Sequence, residues 1–120
     1  MTKTVRILGT DYKVRIGVPV QKDPSLEGRF GYCSYNDHRI VIADLNTVES
    51  WKDEPDEVKQ IEVRASLRHE VIHAFLYESG LHGSTSTERP WAMNEEMVDW
   101  MALQFPKIIE VFQKLDCTEV

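Results

Sequence analysis

His69, Glu70 and His73 stand as His-Glu-x-x-His, a spacing that suits one metal ion and one water. On a helix, residues at i and i+4 lie about 40° apart around the axis and one turn along it, so both imidazoles can reach a single ion. Glu70, one position on, points about 100° away from His69 and can stand beside a water in the ion's open position. Neutral imidazole nitrogens hold Zn²⁺ without cancelling its charge, and the ion brings the pKa of a bound water down to about 7. A carboxylate beside that water can take its proton and pass it on. The trio therefore reads as a water-activating metal centre, with His69 and His73 as ligands and Glu70 as general base.

A catalytic zinc needs three protein ligands. Downstream, Glu95 and Asp99 stand at i and i+4, so two carboxylates share one helical face and repel each other. A metal on Glu95 and an imidazole N–H on Asp99 would use both charges and fix the tautomer of a ligand His. Taken without the His pair, the two acids fit equally well as solvent-facing residues of an amphipathic helix. Glu96 is expected at the surface, because adjacent helical side chains diverge by about 100°. His82, beyond Gly80, ranks below Glu95 as a ligand, and His38 falls in a solvated turn.

The elements that must position these groups follow from periodicity. Leu67, Val71, Ile72, Ala74, Phe75 and Leu76 make the motif's helix apolar almost all round, as in a buried core helix. The run Asp53-Glu54-Pro55-Asp56-Glu57 marks its start and Gly80 its C′ residue, which predicts a helix of about 24 residues and about 36 Å. Upstream, Val5, Ile7, Tyr12, Val14 and Ile16 alternate about Gly9-Thr10-Asp11, a hairpin pattern. Gly17 to Gly31 reads as a loop. Phe30 to Tyr35 and Arg39 to Ala43 are strand-forming runs on either side of Asn36-Asp37-His38, a tight turn. Leu81 to Arg89 reads as a polar connection, with a second helix from Pro90-Trp91 that Pro106 should kink or end near Phe105. Lys107 to Leu115 then forms a last amphipathic helix. The expected class is α+β: a twisted sheet of three or four strands packed on the long helix, then a Glu-bearing helix and a C-terminal one. One domain over residues 1–120 is expected.

Composition narrows the function classes. At 120 residues and 42% hydrophobic the chain can bury one core, and a net charge of −6 with no basic run disfavours nucleic-acid binding. The segment Met1 to Gly9 has no apolar signal region, and no stretch approaches the roughly 18 apolar residues of a membrane span. A soluble cytoplasmic protein without membrane partners is the expectation. Cys33 and Cys117 are far apart and read as free thiols.

His69-Glu70-x-x-His73 followed by Asn94-Glu95-x-x-x-Asp99 resembles the gluzincin metallopeptidases, including their thermolysin-like members. The order of small sheet, His helix and Glu95-x-x-Val98-Asp99-x-x-Ala102 is similar to a minimal zincin of the ImmA/IrrE-like or phage-encoded type. The likeness runs from Tyr12 to Ala102, with its specific motifs in Leu67 to Phe75 and Asn94 to Ala102. It implies a zincin-like fold and Zn²⁺ held by His69, His73 and Glu95. It also implies Glu70 as general base, Asp99 as partner of a ligand His, and a protein or peptide substrate added to the sheet edge along Arg39 to Ala43. The helix-turn-helix region and cap domain of larger relatives are missing. For a transition-state donor the chain offers Tyr35, Tyr77, His82 and Arg89. A metzincin's third His is absent, since position 79 is Ser.

Two functions are thus in view. One is a zinc-dependent metallopeptidase that hydrolyses peptide bonds of a protein substrate through a water activated by Glu70. The other is a regulatory or interaction protein that keeps the fold and a structural or vestigial zinc. The fourth coordination position separates them, open in an enzyme and closed in a structural site.

Overall fold

The computed structural model describes residues 1–84, 92 and 94–119. Strands β1 (Thr2–Ile7) and β2 (Thr10–Val18) form the expected hairpin, but the turn is Leu8-Gly9, one step before the predicted place. Both residues take positive φ, 47° and 90°, the conformation whose twist matches that of the paired strands. Glycine adopts it without strain; Leu8 does so at the exposed tip.

After β2 the chain passes through short 3₁₀ turns at Val20–Lys22 and Pro24–Leu26, runs out as β3 (Gly31–Ser34) and returns as β4 (Arg39–Ala43). The sheet has four strands in the order β1-β2-β4-β3, with β2 and β4 parallel and the other pairs antiparallel. Being central, β4 is apolar throughout after Arg39, and Ile40 to Ala43 are all buried. One face of the sheet places Ile7, Tyr12, Val14, Ile40 and Ile42 against Ala74, Val63, Leu67 and Val71 of helix α1 (Asp56–Glu78). The other face gathers Val18, Tyr32, Val41 and Ala43 around Leu26.

Helix α1 starts one residue after Pro55 and ends at Ser79, with Gly80 at φ 86°, as the capping pattern predicts. Its apolar girth has two causes. Ala74 and its neighbours meet the sheet, whereas Ile72 and Leu76 meet Val98 and Ala102 of the following long helix. Phe75, expected inside, is 43% exposed. Leu81–Ser84 forms one helical turn, α2, where a polar connection is predicted; residues 85–89 lie outside the described residues.

Helix α3 spans Glu95–Lys114, and Asn94 caps it by accepting from the Met97 N–H at 3.0 Å. It therefore begins later than the predicted Pro90-Trp91 start, which itself lies outside the described residues. It also runs through Pro106 as one element in place of the two predicted helices. Pro106 has no N–H for the carbonyl of Ala102, and Arg68 Nε donates to that oxygen at 2.6 Å. A donor from α1 thus satisfies the carbonyl that proline leaves open.

Candidate metal centre

The i, i+4 spacing on α1 brings the His69 and His73 rings to 4.7 Å between centroids, with their Nε2 atoms 3.0 Å apart. The start of α3 faces them. Glu95, the first helical residue, places Oε2 3.0 Å from His69 Nε2 and Oε1 3.1 Å from His73 Nε2. One turn on, Asp99 Oδ1 lies 2.6 Å from His69 Nδ1. Glu95 also sits in the first turn of α3, where the helix dipole favours negative charge.

The Asp99 contact suits one tautomer of His69. When Nδ1–H donates to Asp99, Nε2 is the ring nitrogen of His69 that is left to face a metal. Burial lowers the pKa of His73 and favours its neutral form, and its Nδ1 is buried without a hydrogen-bond partner among the described residues. Two imidazole lone pairs and a carboxylate then converge within about hydrogen-bond distance, with few protons to share. A cation resolves that repulsion. Ligands at about 2.1 Å around a tetrahedral zinc stand about 3.4 Å from one another, so the observed spacings fit such an ion with little movement.

Glu70 is 8% exposed, on the same stretch of α1. Burial pushes its carboxyl pKa up to about 7, the His69 ring opposes that rise and Glu95 adds to it. His69, Glu70 and His73 each offer a ligand atom within 4.8 Å of the others, so this trio could also hold a metal. Glu95 makes direct contacts to both Nε2 atoms, which the sequence spacing anticipates.

A cleft of about 590 Å³ opens over these groups, walled by β3 on one side and by α1 and α3 on the other. The edge anticipated for an added peptide, Arg39 to Ala43, is not an edge: β4 is paired on both sides. Of the two edge strands, β1 and β3, the one at the cleft is β3. Phe30 O accepts from Ala43 N at 2.8 Å, so in the alternating antiparallel pattern Gly31 and Cys33 turn their backbone groups away from β4. Gly31 has a steric reason to be glycine. A Cβ there would stand 2.7 Å from Ile42 Cδ1, 2.9 Å from Val41 O and 3.5 Å from Glu70 Cγ.

Of the remaining predicted residues among those described, Tyr35 and Cys33 line the cleft and the others do not. Tyr35 lines it, stacked on Tyr77 at 4.5 Å, and the edge of His82 meets both rings. Burial pushes the Tyr35 phenol up to about 12, so it stays protonated. Arg89 lies outside the described residues. Glu96 is exposed and His38 occupies an exposed turn against Tyr12. Cys33 and Cys117 are free, and burial raises the Cys33 thiol to about 12. Among the described residues no helix is long and apolar enough to cross a membrane. Sequence reading missed Arg29 on the cleft wall and Arg68 beside the motif. Pro106 signals an open carbonyl four residues back, but nothing in the sequence says which side chain fills it.

Comparison with known proteins places these residues in a family. A family model described as "Peptidase of plants and bacteria" matches residues 26–113, which takes in β3, β4, α1 and nearly all of α3. No curated protein and no solved structure matches the chain.

Proposed function

We propose, because the chain belongs to this family of peptidases, that it hydrolyses peptide bonds of protein substrates with one zinc ion held by His69, His73 and Glu95. The observation that carries the reading is the convergence of two imidazole Nε2 atoms and one carboxylate at 3.0–3.1 Å beside an open cleft. Glu95 is preferred to Glu70 as third ligand because its oxygens touch both imidazoles. That choice leaves the buried Glu70 free for proton transfer.

When bound, zinc would supply Lewis acidity at neutral pH. The chain's own groups do the rest. Glu70 takes the proton of the attacking water at its carboxylate and delivers it to the departing amide nitrogen. Burial disfavours its charged form, which strengthens it as a base in place. Asp99 holds His69 with Nδ1–H turned to itself and Nε2 free, an orienting role. Substrate lies as an added strand on β3, pairing with the free backbone groups of Gly31 and Cys33.

The test uses an unfolded protein mixture with sequencing of the new termini. Zinc-loaded protein should cleave, chelation should stop it and zinc should restore it. Glu70→Gln should retain zinc and lose about a hundredfold or more in rate. Wild-type rates from Glu70→Gln would refute the assigned base. Zinc binding with no cleavage of any component would instead support the non-catalytic zinc-binding reading.

A further inference from the structure

We infer that Arg29 is a specificity determinant, a fixed guanidinium that takes a substrate carboxylate close to the scissile bond. The inference rests on the peptidase reading and names a substrate class for it.

Arg29 lines the cleft just before the free strand β3 and is held from two sides. Its Nε donates to the carbonyl of Ser25 at 2.6 Å, and its guanidinium carbon stands 5.2 Å from the centre of the Tyr32 ring. Asp23 secures both supports. It accepts from the Ser25 N–H at 3.0 Å through Oδ1 and from the Tyr32 hydroxyl at 2.6 Å through Oδ2. Arg29 is exposed, and with Nε tied and a ring on one side its two terminal nitrogens remain as a planar fork, the shape that matches a carboxylate. Among the described residues no carboxylate forms an ion pair with that fork; what sets Arg29 apart from the other unpaired arginines is its place on the cleft wall.

The rest of the cleft sharpens the argument. Glu62, Glu70, Glu95 and Asp99 line it, and Arg29 is the one Arg or Lys among the described lining residues. A substrate acid is repelled along most of this surface and attracted at one place, so the selectivity is positional. That place lies near the chemistry. Gly31, two residues after Arg29, is the residue whose Cβ would stand 3.5 Å from Glu70 Cγ. Arg29 lies in the bend that leads into β3, so its guanidinium stands at the end of the edge along which a peptide would lie. The carboxylate therefore comes from a residue close to the cut, either as an acidic side chain or as the peptide's own C-terminus.

The experiment measures kcat/KM on quenched peptides in which Glu replaces Gln at each position flanking the cleaved bond, with free and with amidated C-termini. Wild-type protein should favour Glu by about tenfold or more at one position, the scale of a charged hydrogen bond. Arg29→Gln should erase the preference, and Arg29→Glu should transfer it to Lys at the same position, a gain that misfolding cannot mimic. A preference for free over amidated C-termini, in place of one for Glu, assigns the C-terminal carboxylate; a preference for Glu that persists in amidated peptides assigns the side chain. An acidic preference that survives in Arg29→Gln, or none in the wild type, overturns the inference. Failure of the wild type to cleave any peptide removes the peptidase reading, and this inference with it.

Discussion

Arg68 Nε donates to the carbonyl of Ala102 at 2.6 Å, and that carbonyl is the one whose helical partner would be the missing N–H of Pro106. The bond joins α1 to α3 one residue from His69 and three residues after Asp99. It ties the proline in α3 to the alignment of the two helices whose side chains converge. Arg68→Ala should cost about 1–3 kcal/mol, since it leaves a part-buried carbonyl unpaired. In a Pro106→Ala background, where residue 106 regains its N–H, the same change should cost clearly less. Urea unfolding of the four proteins measures this; strictly additive losses would show that the two residues are not coupled.

The buried Glu70 makes the metal-free protein sensitive to pH. Its folded pKa of about 7 lies above the ordinary 4.5, so folding favours the protonated form. The resulting stability is fully present below about pH 4.5 and is lost as pH rises through 7. The shift corresponds to about 3 kcal/mol as an upper bound. Glu70→Gln carries no such dependence. In chelator, the variant should become more stable than the wild type as pH goes from 5 to 8. A difference between the two that does not change with pH would contradict the burial argument.

Gly31 sits where a side chain meets backbone. Gly31→Ala should destabilise by about 1–3 kcal/mol, because Val41 O cannot yield without disturbing the β3–β4 pairing. Activity should fall only as far as stability accounts for, since the same Cβ stands at ordinary contact distance, 3.5 Å, from Glu70 Cγ. Thermal unfolding and peptide cleavage measured on one preparation check both parts; an Ala variant as stable as the wild type would show that the strand shifts freely.

Asp99 orients His69 through the 2.6 Å contact at Nδ1. Asp99→Asn should bind zinc about 10–100-fold more weakly while folding normally in the absence of metal. Isothermal titration reads the affinity, and an unchanged value would show that the Asp99 contact does not orient His69 for the metal.

Much of the fold is legible in local pattern. Alternation located the strands, capping residues bounded α1, and the i, i+4 spacings of His69 with His73 and Glu95 with Asp99 placed the convergent side chains on matching faces. What local pattern could not carry is long-range pairing. The strand order put β4 inside the sheet and left β3 at the edge, because β2 pairs with β4 in parallel across the intervening β3. Pro106 reads as a stop from sequence alone; a side chain from another helix changes that outcome. The start of α3 was misplaced because Pro90 offers a strong initiation signal, whereas Asn94 holds the observed cap. Arg29 carries no motif, and only the packing of the Pro24–Leu26 turn against Tyr32 brings it to the cleft.

The central claim is that Glu95, from α3, completes a zinc site begun by His69 and His73. Competitive zinc titration against a chelator on the wild type, Glu95→Ala, Glu96→Ala and His82→Ala tests it most directly. The account predicts about one zinc per wild-type chain. It predicts a loss of roughly a hundredfold or more for Glu95→Ala, with little change for the other two, since the metal would clamp α1 to α3 and part of its binding energy is folding energy. No zinc uptake by the wild type, or a larger loss for Glu96→Ala or His82→Ala than for Glu95→Ala, would contradict it.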